Sequence, residues 1–492
     1  MTRTDHSFDY IVVGGGAAGC VLAARLATDS DASVLLLERG NADTNRWIHV
    51  PATFFKVLQS ADADMVVSEP DASLDDKPFP VPQGRVLGGG SSVNGMIYMR
   101  GQLVVDDPAA PHPIAEQIIA AAHAAGVPAT DDFNGAEQGG AGWYQVTAHA
   151  GQRQSAAHCF LKPAQMRENL QVWTSHLAAR IRFNGRRASA LECFDAQGHP
   201  ILIEARREII LTAGSFHSPK LLMLSGIGPR AELRRHGVEL VHDAADVGQH
   251  YQDHVGAPVT RRLKDASGLF GADSGLKALK HGLDYLLFKR GLLTSNLLQA
   301  GACVDTDNSG RPDVQYNFAP FAPGSPGCPP LPFHAIQVHP MTMRPASRGH
   351  LGLMSSDPRD PPSFHASALA HESDLDALRR GVRLARDICE QPPLRDLLGE
   401  EVWPGKAIST AVGSNTLDGA IRAQARTIFH PAGTCRMGPD ASAVVDVNLC
   451  VNGVTGLRVA DCSIMPALVS GNTNAPTMMI ADRCADALLA AQ

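Results

Sequence analysis

The order of apolar and polar residues at the start of the chain predicts a strand, a tight turn, a helix and a second strand. Tyr10 to Val13 and Val34 to Leu37 are short runs without polar interruptions. Continuous runs of this kind are typical of parallel strands that are buried on both faces. A helix from about Ala17 to Ala27 would connect the two strands. We therefore predict a βαβ unit at the start of an α/β domain.

Three glycines between the first strand and the helix have the spacing of a dinucleotide-binding loop. Gly14 permits the tight turn, Gly16 lets a pyrophosphate approach the backbone, and Gly19 lets the helix pack closely on the strand. The positive end of the helix, at Ala17 and Ala18, would then bind the phosphates. The sequence therefore predicts a bound dinucleotide.

An acidic residue at the end of the second strand indicates which dinucleotide is favoured. Glu38 follows Gly19 by 19 positions, near the spacing of about 20 at which a carboxylate accepts hydrogen bonds from ribose hydroxyls. A carboxylate at this place would repel the additional phosphate of NADP. FAD or NAD is therefore favoured over NADP.

Patterns later in the chain predict a second domain. Arg206 to Gly214 contains an apolar run that ends in small residues, as expected for a buried strand beneath a ligand. The block 256–428 is richer in proline and includes a predicted amphipathic helix from Asp374 to Glu390. Because 492 residues are too many for one compact core, we expect at least two domains.

Composition narrows the possible partners and the location. Lys and Arg total 43 against 50 Asp and Glu, and the net charge of −7 disfavours binding to nucleic acid or to an anionic membrane. The first strand begins without an apolar leader, and no run of about 18 apolar residues occurs, so we expect no integral membrane segment. The ten cysteines include no CxxC pair. This pattern indicates a cytoplasmic protein with reduced thiols, and no metal site.

Several further stretches carry a family resemblance. They are Gly84 to Tyr98 (GRVLGGGSSVNGMIY), Gly214 to Gly228 (GSFHSPKLLMLSGIG), Phe429 to Gly438 (FHPAGTCRMG), Gly456 to Pro466 (GLRVADCSIMP) and Ser470 to Met479 (SGNTNAPTMM). Together they resemble the signatures of the glucose-methanol-choline (GMC) oxidoreductases. The C-terminal stretches are most similar to those of bacterial choline dehydrogenase-like alcohol dehydrogenases.

The resemblance implies a fold and a division into domains. The fold class is α/β, or α+β overall, with a Rossmann-like FAD-binding domain on a parallel sheet. A substrate domain on a mostly antiparallel sheet with helices would face the flavin. We predict that 1–102, 151–255 and 429–492 form the discontinuous FAD-binding domain. The substrate-binding or cap domain would consist of 103–150 and 256–428.

The same resemblance extends the set of residues that we expect to contact FAD. The loop after Gly88 would run against the flavin, small residues after the strand 206–214 would lie near the adenosine, and Asp461 near the ribityl chain or pyrophosphate. The predicted cofactor-binding residues are Gly14, Gly16, Ala17, Ala18, Gly19, Glu38, Arg39, Arg85, Gly89, Ser91, Val93, Asn94, Gly95, Met96, Ala178, Ala213, Gly214, Ala460, Asp461, Asn474, Pro476 and Thr477.

Two polar residues near the C-terminus are predicted to be catalytic. Oxidation of an alcohol needs a base for the hydroxyl proton and an acceptor for the hydride. His430 lies between Phe429 and Pro431 and matches the position of the active-site histidine of the family. Asn472 matches the position of its partner, which is a histidine or an asparagine. An amide there can donate a hydrogen bond to the substrate oxygen without competing for its proton.

The last helix is predicted to begin beside the flavin. Asn474 is expected to be its N-cap, Pro476 suits the first turn, and the helix would extend to about Ala490. The resemblance implies that the positive end of this helix stabilises the negative charge that reduction places on the flavin pyrimidine.

Two positions depart from the family pattern. Val93 stands where some members attach FAD through a histidine, so we expect the FAD to be non-covalent. The residues Met99 to Gln102 continue almost directly into 103–114, where family members usually carry a long segment over the flavin and the substrate entrance. A site without that segment would be more open to water.

We therefore expect FAD-dependent oxidation of a small-molecule alcohol to an aldehyde or a ketone. The electrons would pass to a quinone, to another carrier or to O2, and use of O2 would make the protein an oxidase. A non-redox flavin lyase or decarboxylase and an inactive FAD-binding homologue are the alternatives that the residues leave open.

Overall fold

The computed structural model describes residues 6–98, 105–322, 331–408 and 415–491, which fold around two sheets. The first sheet has a parallel core, and two antiparallel strands extend one of its edges. In spatial order its strands are Leu170–Trp173, Val34–Leu37, His6–Val13, Pro200–Leu211, Arg187–Phe194 and Leu177–Asn184, with Leu457–Val459 beside Pro200–Leu211.

The predicted βαβ unit lies at the centre of this first sheet. The strand His6–Val13 is followed by the helix Ala17–Asp29 and then by the strand Val34–Leu37. Gly14 has a φ of 110°, and a methyl group at Gly19 would lie 1.9 Å from the Gly14 carbonyl oxygen. Because only glycine fits both conditions, the chain can turn tightly and the helix can pack on the strand.

The second sheet is antiparallel and forms the opposite half of the molecule. Its main strands, in spatial order, are Leu398–Trp403, Val259–Leu263, Ala335–Thr342, Val314–Ala319, Ala300–Val304 and Gly140–Trp143. Two short strands, Val255–Gly256 and Arg426–Thr427, pair beside Ala335–Thr342. The helix Glu372–Cys389 packs on this sheet, and its buried residues include Leu378 and Val382.

The remaining elements are mostly short. The other helices are Arg46–His49, Phe54–Val57, Gly90–Val93, Pro113–Ala124, Lys162–Ala164, Gly214–Leu224, Arg230–Arg235, Gly275–Phe288, Leu394–Leu397, Asn415–Gln424 and Asn474–Ala490. Paired short strands are Ala63–Val67 with Pro80–Gly84, Ala148–His149 with Gln152–Arg153, Ile227–Gly228 with His242–Asp243, and His350–Leu353 with Pro362–His365.

The architecture confirms the predicted fold class, because a mainly parallel sheet and an antiparallel sheet with helices are both present. The two sheets draw their strands from the segments that we assign to the two domains, while the domain boundaries stay a prediction. Among the described residues, no helix is both long enough and apolar enough to cross a lipid bilayer.

The predicted helix Asp374 to Glu390 is observed as Glu372–Cys389, and the predicted N-cap of the last helix is wrong by one residue. Asn474 is the first residue of the last helix, and its N-cap is Thr473. The carbonyl oxygen of Thr473 accepts hydrogen bonds from the backbone N–H and the hydroxyl of Thr477, at 3.0 and 2.7 Å. The side chain of Thr477 thus reaches back to the cap, and no side chain caps the first N–H groups.

Candidate active site

A cavity of about 2860 Å³ lies between the two sheets and receives side chains from both. Pockets for drug-sized ligands usually have volumes of about 300–1,000 Å³. The cavity is therefore large enough for an extended ligand together with a second, smaller one. One end is formed by the loop that contains Gly14 and Gly16, and the opposite wall includes His339 of the second sheet.

Backbone donors form the first end of the cavity. Gly16 is the N-cap of the helix Ala17–Asp29, where no side chain caps the free N–H groups and the first turn has no acidic residue. Gly16, Ala17 and Ala18 all line the cavity. A methyl group at Gly89 would lie 2.7 Å from the Gly16 Cα, so two glycine loops meet here. Free N–H groups at the start of a helix suit a phosphate.

Glu38 is held rigidly at the wall beside these loops. Its Oε2 accepts a hydrogen bond from the Gly15 N–H at 2.7 Å, and its Oε1 accepts one from the Gly40 N–H at 2.6 Å. Burial raises the pKa of the carboxyl group, and the two backbone donors oppose this increase. The carboxyl group is therefore fixed at the end of its strand, where the sequence predicts a contact with ribose.

Two predicted arginines lie on the same wall and share one carboxylate. The Asp64 side chain forms ion pairs with Arg39 at 2.6 Å and with Arg85 at 3.3 Å. Arg39 Nη2 also lies 3.3 Å from His217 Nε2. Burial, together with the nearby charge of Arg39, holds the pKa of His217 well below its usual value.

Most predicted cofactor residues line the cavity. Those on its wall are Gly14, Gly16, Ala17, Ala18, Glu38, Arg39, Arg85, Gly89, Val93, Asn94, Gly95, Met96, Ala178, Ala213, Gly214, Asp461, Asn474 and Thr477. Gly19, Ser91, Ala460 and Pro476 are not among the lining residues. Asp461 acts as a backbone cap, because it accepts hydrogen bonds from the N–H groups of Gly214 and Ser463, both at 2.8 Å.

A buried arginine that the sequence analysis missed supports the wall near Asn94. Arg153 is 1% exposed. It donates to the Ile48 carbonyl at 2.8 Å, to the Ser91 carbonyl at 3.2 Å and to Asn94 Oδ1 at 2.7 Å. Burial lowers its pKa to about 9, so it is still a cation at neutral pH. It lies in a two-residue strand, and no local pattern marks it.

The predicted catalytic residues are adjacent, and a second histidine joins them. Asn472 Nδ2 lies 3.1 Å from His430 Nε2. His430 Nδ1 lies 2.8 Å from Nδ1 of His254, whose Nε2 lies 3.0 Å from the Met343 carbonyl oxygen. His254 directly precedes the buried strand Val255–Gly256. That position was the only available sequence signal, and the sequence analysis did not use it.

Hydrogen-bond chemistry fixes the proton positions in this chain of contacts. A carbonyl only accepts, so His254 Nε2 must carry the proton that it donates to Met343. Burial lowers the pKa of His254 to about 4. At neutral pH its Nδ1 therefore has no proton, and the proton between the two rings belongs to His430 Nδ1. His430 Nε2 consequently carries a lone pair, which accepts a hydrogen bond from Asn472 Nδ2 at 3.1 Å.

The environment keeps His430 neutral and fixed in place. Burial and the neighbouring His254 hold the pKa of His430 well below its usual value. Its backbone N–H donates to Asp253 Oδ1 at 2.9 Å, while Asp253 Oδ2 accepts from the hydroxyls of Thr427 at 2.5 Å and Tyr251 at 3.1 Å. Burial raises the pKa of Asp253 to about 7. The arrangement offers a neutral imidazole that can accept a proton.

The last helix presents free N–H groups to the same region. Asn474 and Thr477 line the cavity, and the first turn contains no acidic residue. Asn472 Oδ1 is buried without a hydrogen-bond partner among the described residues. A ligand that gains negative charge on reaction, as a reduced flavin does, suits this helix end. The cavity and its donors therefore fit FAD.

This fold and this site define a two-domain flavin-dependent oxidoreductase. The chain belongs to the GMC oxidoreductase family: the N-terminal family model matches residues 8–107 and 101–256, and the C-terminal model matches 345–481. FAD is accordingly its cofactor.

The similar proteins include dehydrogenases and oxidases. The chain is 34% identical to an alcohol dehydrogenase [acceptor] of Pseudomonas putida, over 98% of this chain and 96% of the relative. It is 35% identical to an oxygen-dependent choline dehydrogenase of Brucella ovis, over 98% and 95%. Among solved structures, pyridoxine 4-oxidase from Mesorbium loti is 26% identical with a TM-score of 0.86, over 97% and 98%. A formate oxidase, 24% identical with a TM-score of 0.91 over 100% and 99%, shares the fold.

The comparisons also bear on the expected missing segment. The alignment with the Pseudomonas relative extends over 530 positions, more than the 492 residues of the chain. The relative therefore has segments that this chain lacks. The N-terminal family match is divided at 101–107, beside the place where we expect the loss. Residues 99–104 themselves lie outside the described residues.

Proposed function

We propose that the protein oxidises an alcohol to an aldehyde or a ketone. FAD, when bound, supplies the acceptor for the hydride. His430 accepts the hydroxyl proton at Nε2, and Asn472 donates a hydrogen bond from Nδ2 to the substrate oxygen. The two nitrogen atoms lie 3.1 Å apart, which supports a site where one substrate hydroxyl group replaces their mutual hydrogen bond and contacts both residues.

The observation that carries this proposal is the assigned tautomer of His430. A histidine acts as a base only through a nitrogen atom without a proton. The contacts from Met343 through His254 support a tautomer with the His430 proton on Nδ1 and the lone pair on Nε2. Because the pKa of His430 lies well below its usual value, the ring is neutral at pH 7, and the neutral imidazole is the form that a general base requires.

The proposal extends to the fate of the electrons and to location. One relative is named for an unspecified acceptor and another for oxygen dependence. We propose a dehydrogenase that passes electrons to a quinone or another carrier; one peroxide per alcohol oxidised would instead make it an oxidase. Every cysteine that the structure describes is unpaired, which supports a cytoplasmic location.

The test is anaerobic mixing of the FAD-loaded protein with alcohols, while the flavin absorbance is followed in a stopped-flow instrument. Bleaching by an alcohol is the expected result. His430→Ala should slow the bleaching by about 10²- to 10⁴-fold, the usual contribution of a general base. His123, an exposed histidine on the helix Pro113–Ala124 that does not line the cavity, provides the matched control, and His123→Ala should react as the wild type does.

The FAD content of each variant must be equal for this comparison. A wild-type protein that binds FAD but is bleached by no primary, secondary, aromatic or amino alcohol would contradict alcohol oxidation. An unchanged rate in His430→Ala would remove His430 from the mechanism.

A further inference from the structure

The second sheet presents a group of polar side chains to the cavity. We call Asn317, Gln337, His339 and Arg426 the sheet patch. Asn317 and His339 are paired across neighbouring antiparallel strands, and Gln337 is two residues from His339 on the same strand. Residues two apart on a strand share one face, and all four members of the patch line the cavity.

One buried atom of the sheet patch has no hydrogen-bond partner among the described residues. It is Asn317 Oδ1, in a side chain that is 7% exposed. Buried polar atoms are nearly always hydrogen-bonded in folded proteins, and an unpaired one requires an explanation. Since Asn317 lines the cavity, a polar ligand can supply that partner.

Arg426 adds a positive charge that no carboxylate neutralises. Its Nη2 donates to the neutral Gln337 Oε1 at 3.0 Å, and the structure gives it no ion pair among the described residues. Burial lowers its pKa to about 10, so the guanidinium is still charged at neutral pH. A partly buried cation with only a neutral partner is unfavourable unless an anion joins it.

The acidic residues of the cavity lie elsewhere. Within the described residues, those that line the cavity are Glu38, Asp64, Asp195, Asp273, Asp360 and Asp461, none of them in a strand of the second sheet. A quaternary ammonium group needs a carboxylate or an aromatic cage, and the sheet patch supplies neither. The charge of the patch thus disfavours choline, the substrate named for several relatives.

The sheet patch and the catalytic pair line the same cavity and are joined by a short segment of chain. Arg426 and His430 are four residues apart in one continuous segment. An extended chain spans at most about 3.6 Å per residue, so their Cα atoms are no more than about 14 Å apart. Both side chains line the cavity.

We propose that the sheet patch binds a carboxylate and that the substrates are hydroxy acids. Arg426 would pair with the carboxylate through its remaining N–H groups, and Asn317 would contact another polar group of the same molecule. This inference rests on the proposed alcohol oxidation at His430. The inference adds the class of substrate. That class differs from choline, the substrate that the names of several relatives suggest.

The first experiment measures binding without turnover. Butyrate, which has no hydroxyl group, is titrated into the FAD-loaded protein in a calorimeter. Arg426→Gln should weaken butyrate binding by about 10- to 150-fold, because a charge-assisted hydrogen bond is lost. Arg182 is exposed on a strand of the first sheet and serves as the control. Arg182→Gln changes the net charge by the same amount, and this variant should bind butyrate as the wild type does.

The second experiment compares three alcohols of similar size with the wild-type protein. Flavin bleaching should be fastest with 4-hydroxybutyrate, slower with 1,4-butanediol and slowest with choline. In Arg426→Gln the advantage of the acid over the diol should shrink by about the same 10- to 150-fold. The wild-type comparison tests the inference even if that variant does not fold.

The outcomes separate this inference from the proposed function. Bleaching by the diol, with no butyrate binding and no advantage for the acid, would overturn the inference and leave alcohol oxidation intact. Fastest bleaching by choline would overturn it as well. Butyrate binding that depends on Arg426, with no bleaching by any alcohol, would support the carboxylate site and contradict the proposed oxidation.

Discussion

Replacing His254 tests how the proton of His430 is positioned. His254 contacts His430 through Nδ1 and does not line the cavity, so it is a positioning residue. In His254→Phe the ring volume is largely kept, but the acceptor for the His430 Nδ1–H is lost. The proton can then move to His430 Nε2, and Asn472 can turn its Oδ1 to accept it. That arrangement removes the lone pair on His430 Nε2 that would accept the substrate proton.

The size of the effect follows from the cost of an unpaired N–H. A buried donor without an acceptor costs about 1–3 kcal/mol. That free energy would favour the tautomer with the proton on Nε2, which cannot accept the substrate proton. At about 1.4 kcal/mol per factor of ten, flavin reduction by an alcohol should slow by roughly 5- to 150-fold. FAD binding should be unaffected because His254 does not line the cavity.

A second variant separates hydrogen bonding from packing. In His254→Asn the side-chain oxygen is as many bonds from Cβ as Nδ1 is in histidine, so it can accept the His430 proton. We expect this variant to recover most of the rate lost in His254→Phe, measured by anaerobic stopped-flow reduction at equal FAD content. Equal rates for the wild type and His254→Phe would refute the tautomer argument, and equal losses in both variants would assign the effect to packing.

Three further predictions concern stability and the cofactor. The pKa of His254 falls from 6.5 to about 4 on folding, so the contribution of His254 to stability is present above pH 6.5 and is lost as the pH falls towards 4. Urea titrations between these two pH values give the slope of the unfolding free energy against pH. His254→Asn should reduce that slope by about 1.4 kcal/mol per pH unit. Arg153→Met leaves the Ile48 and Ser91 carbonyl oxygens without this donor, while Asn94 Oδ1 keeps the Met96 N–H, and should destabilise the protein by at least about 2 kcal/mol. Arg182 is exposed, so Arg182→Met should change stability by less than about 1 kcal/mol. Similar unfolding midpoints for the two variants would contradict the role of Arg153. Because Val93 offers no nucleophile, acid precipitation should leave all the flavin in the supernatant, and yellow precipitated protein would show a covalent bond.

The cofactor end could be predicted from the sequence because its determinants are local. The strand His6–Val13, the turn at Gly14 and the helix from Ala17 lie within a short stretch of chain. The pattern of apolar residues and glycines in that stretch is sufficient to predict its conformation. Even the error at Asn474 is local, since the cap moved by one residue to Thr473.

The partners of His430 could not be predicted because they depend on distant pairings. His254 precedes His430 by 176 positions, and Met343 lies on a further segment of the chain. Their contact requires the short strands Val255–Gly256 and Arg426–Thr427 to pair, and two-residue strands leave almost no periodic signal. The orientation of Arg426 towards the cavity depends on the same pairing.

The two ends of the cavity differ in how they select a ligand. The cofactor end uses mainly backbone N–H groups and glycines, which any member of the family can supply while its side chains change. The substrate end uses the side chains Asn317 and Arg426, each of which a single substitution can replace. Identity of about 35% over the whole chain therefore establishes the cofactor and the fold much better than it does the substrate. The charge on the sheet patch, rather than the name of a relative, is the physical reason to examine hydroxy acids first.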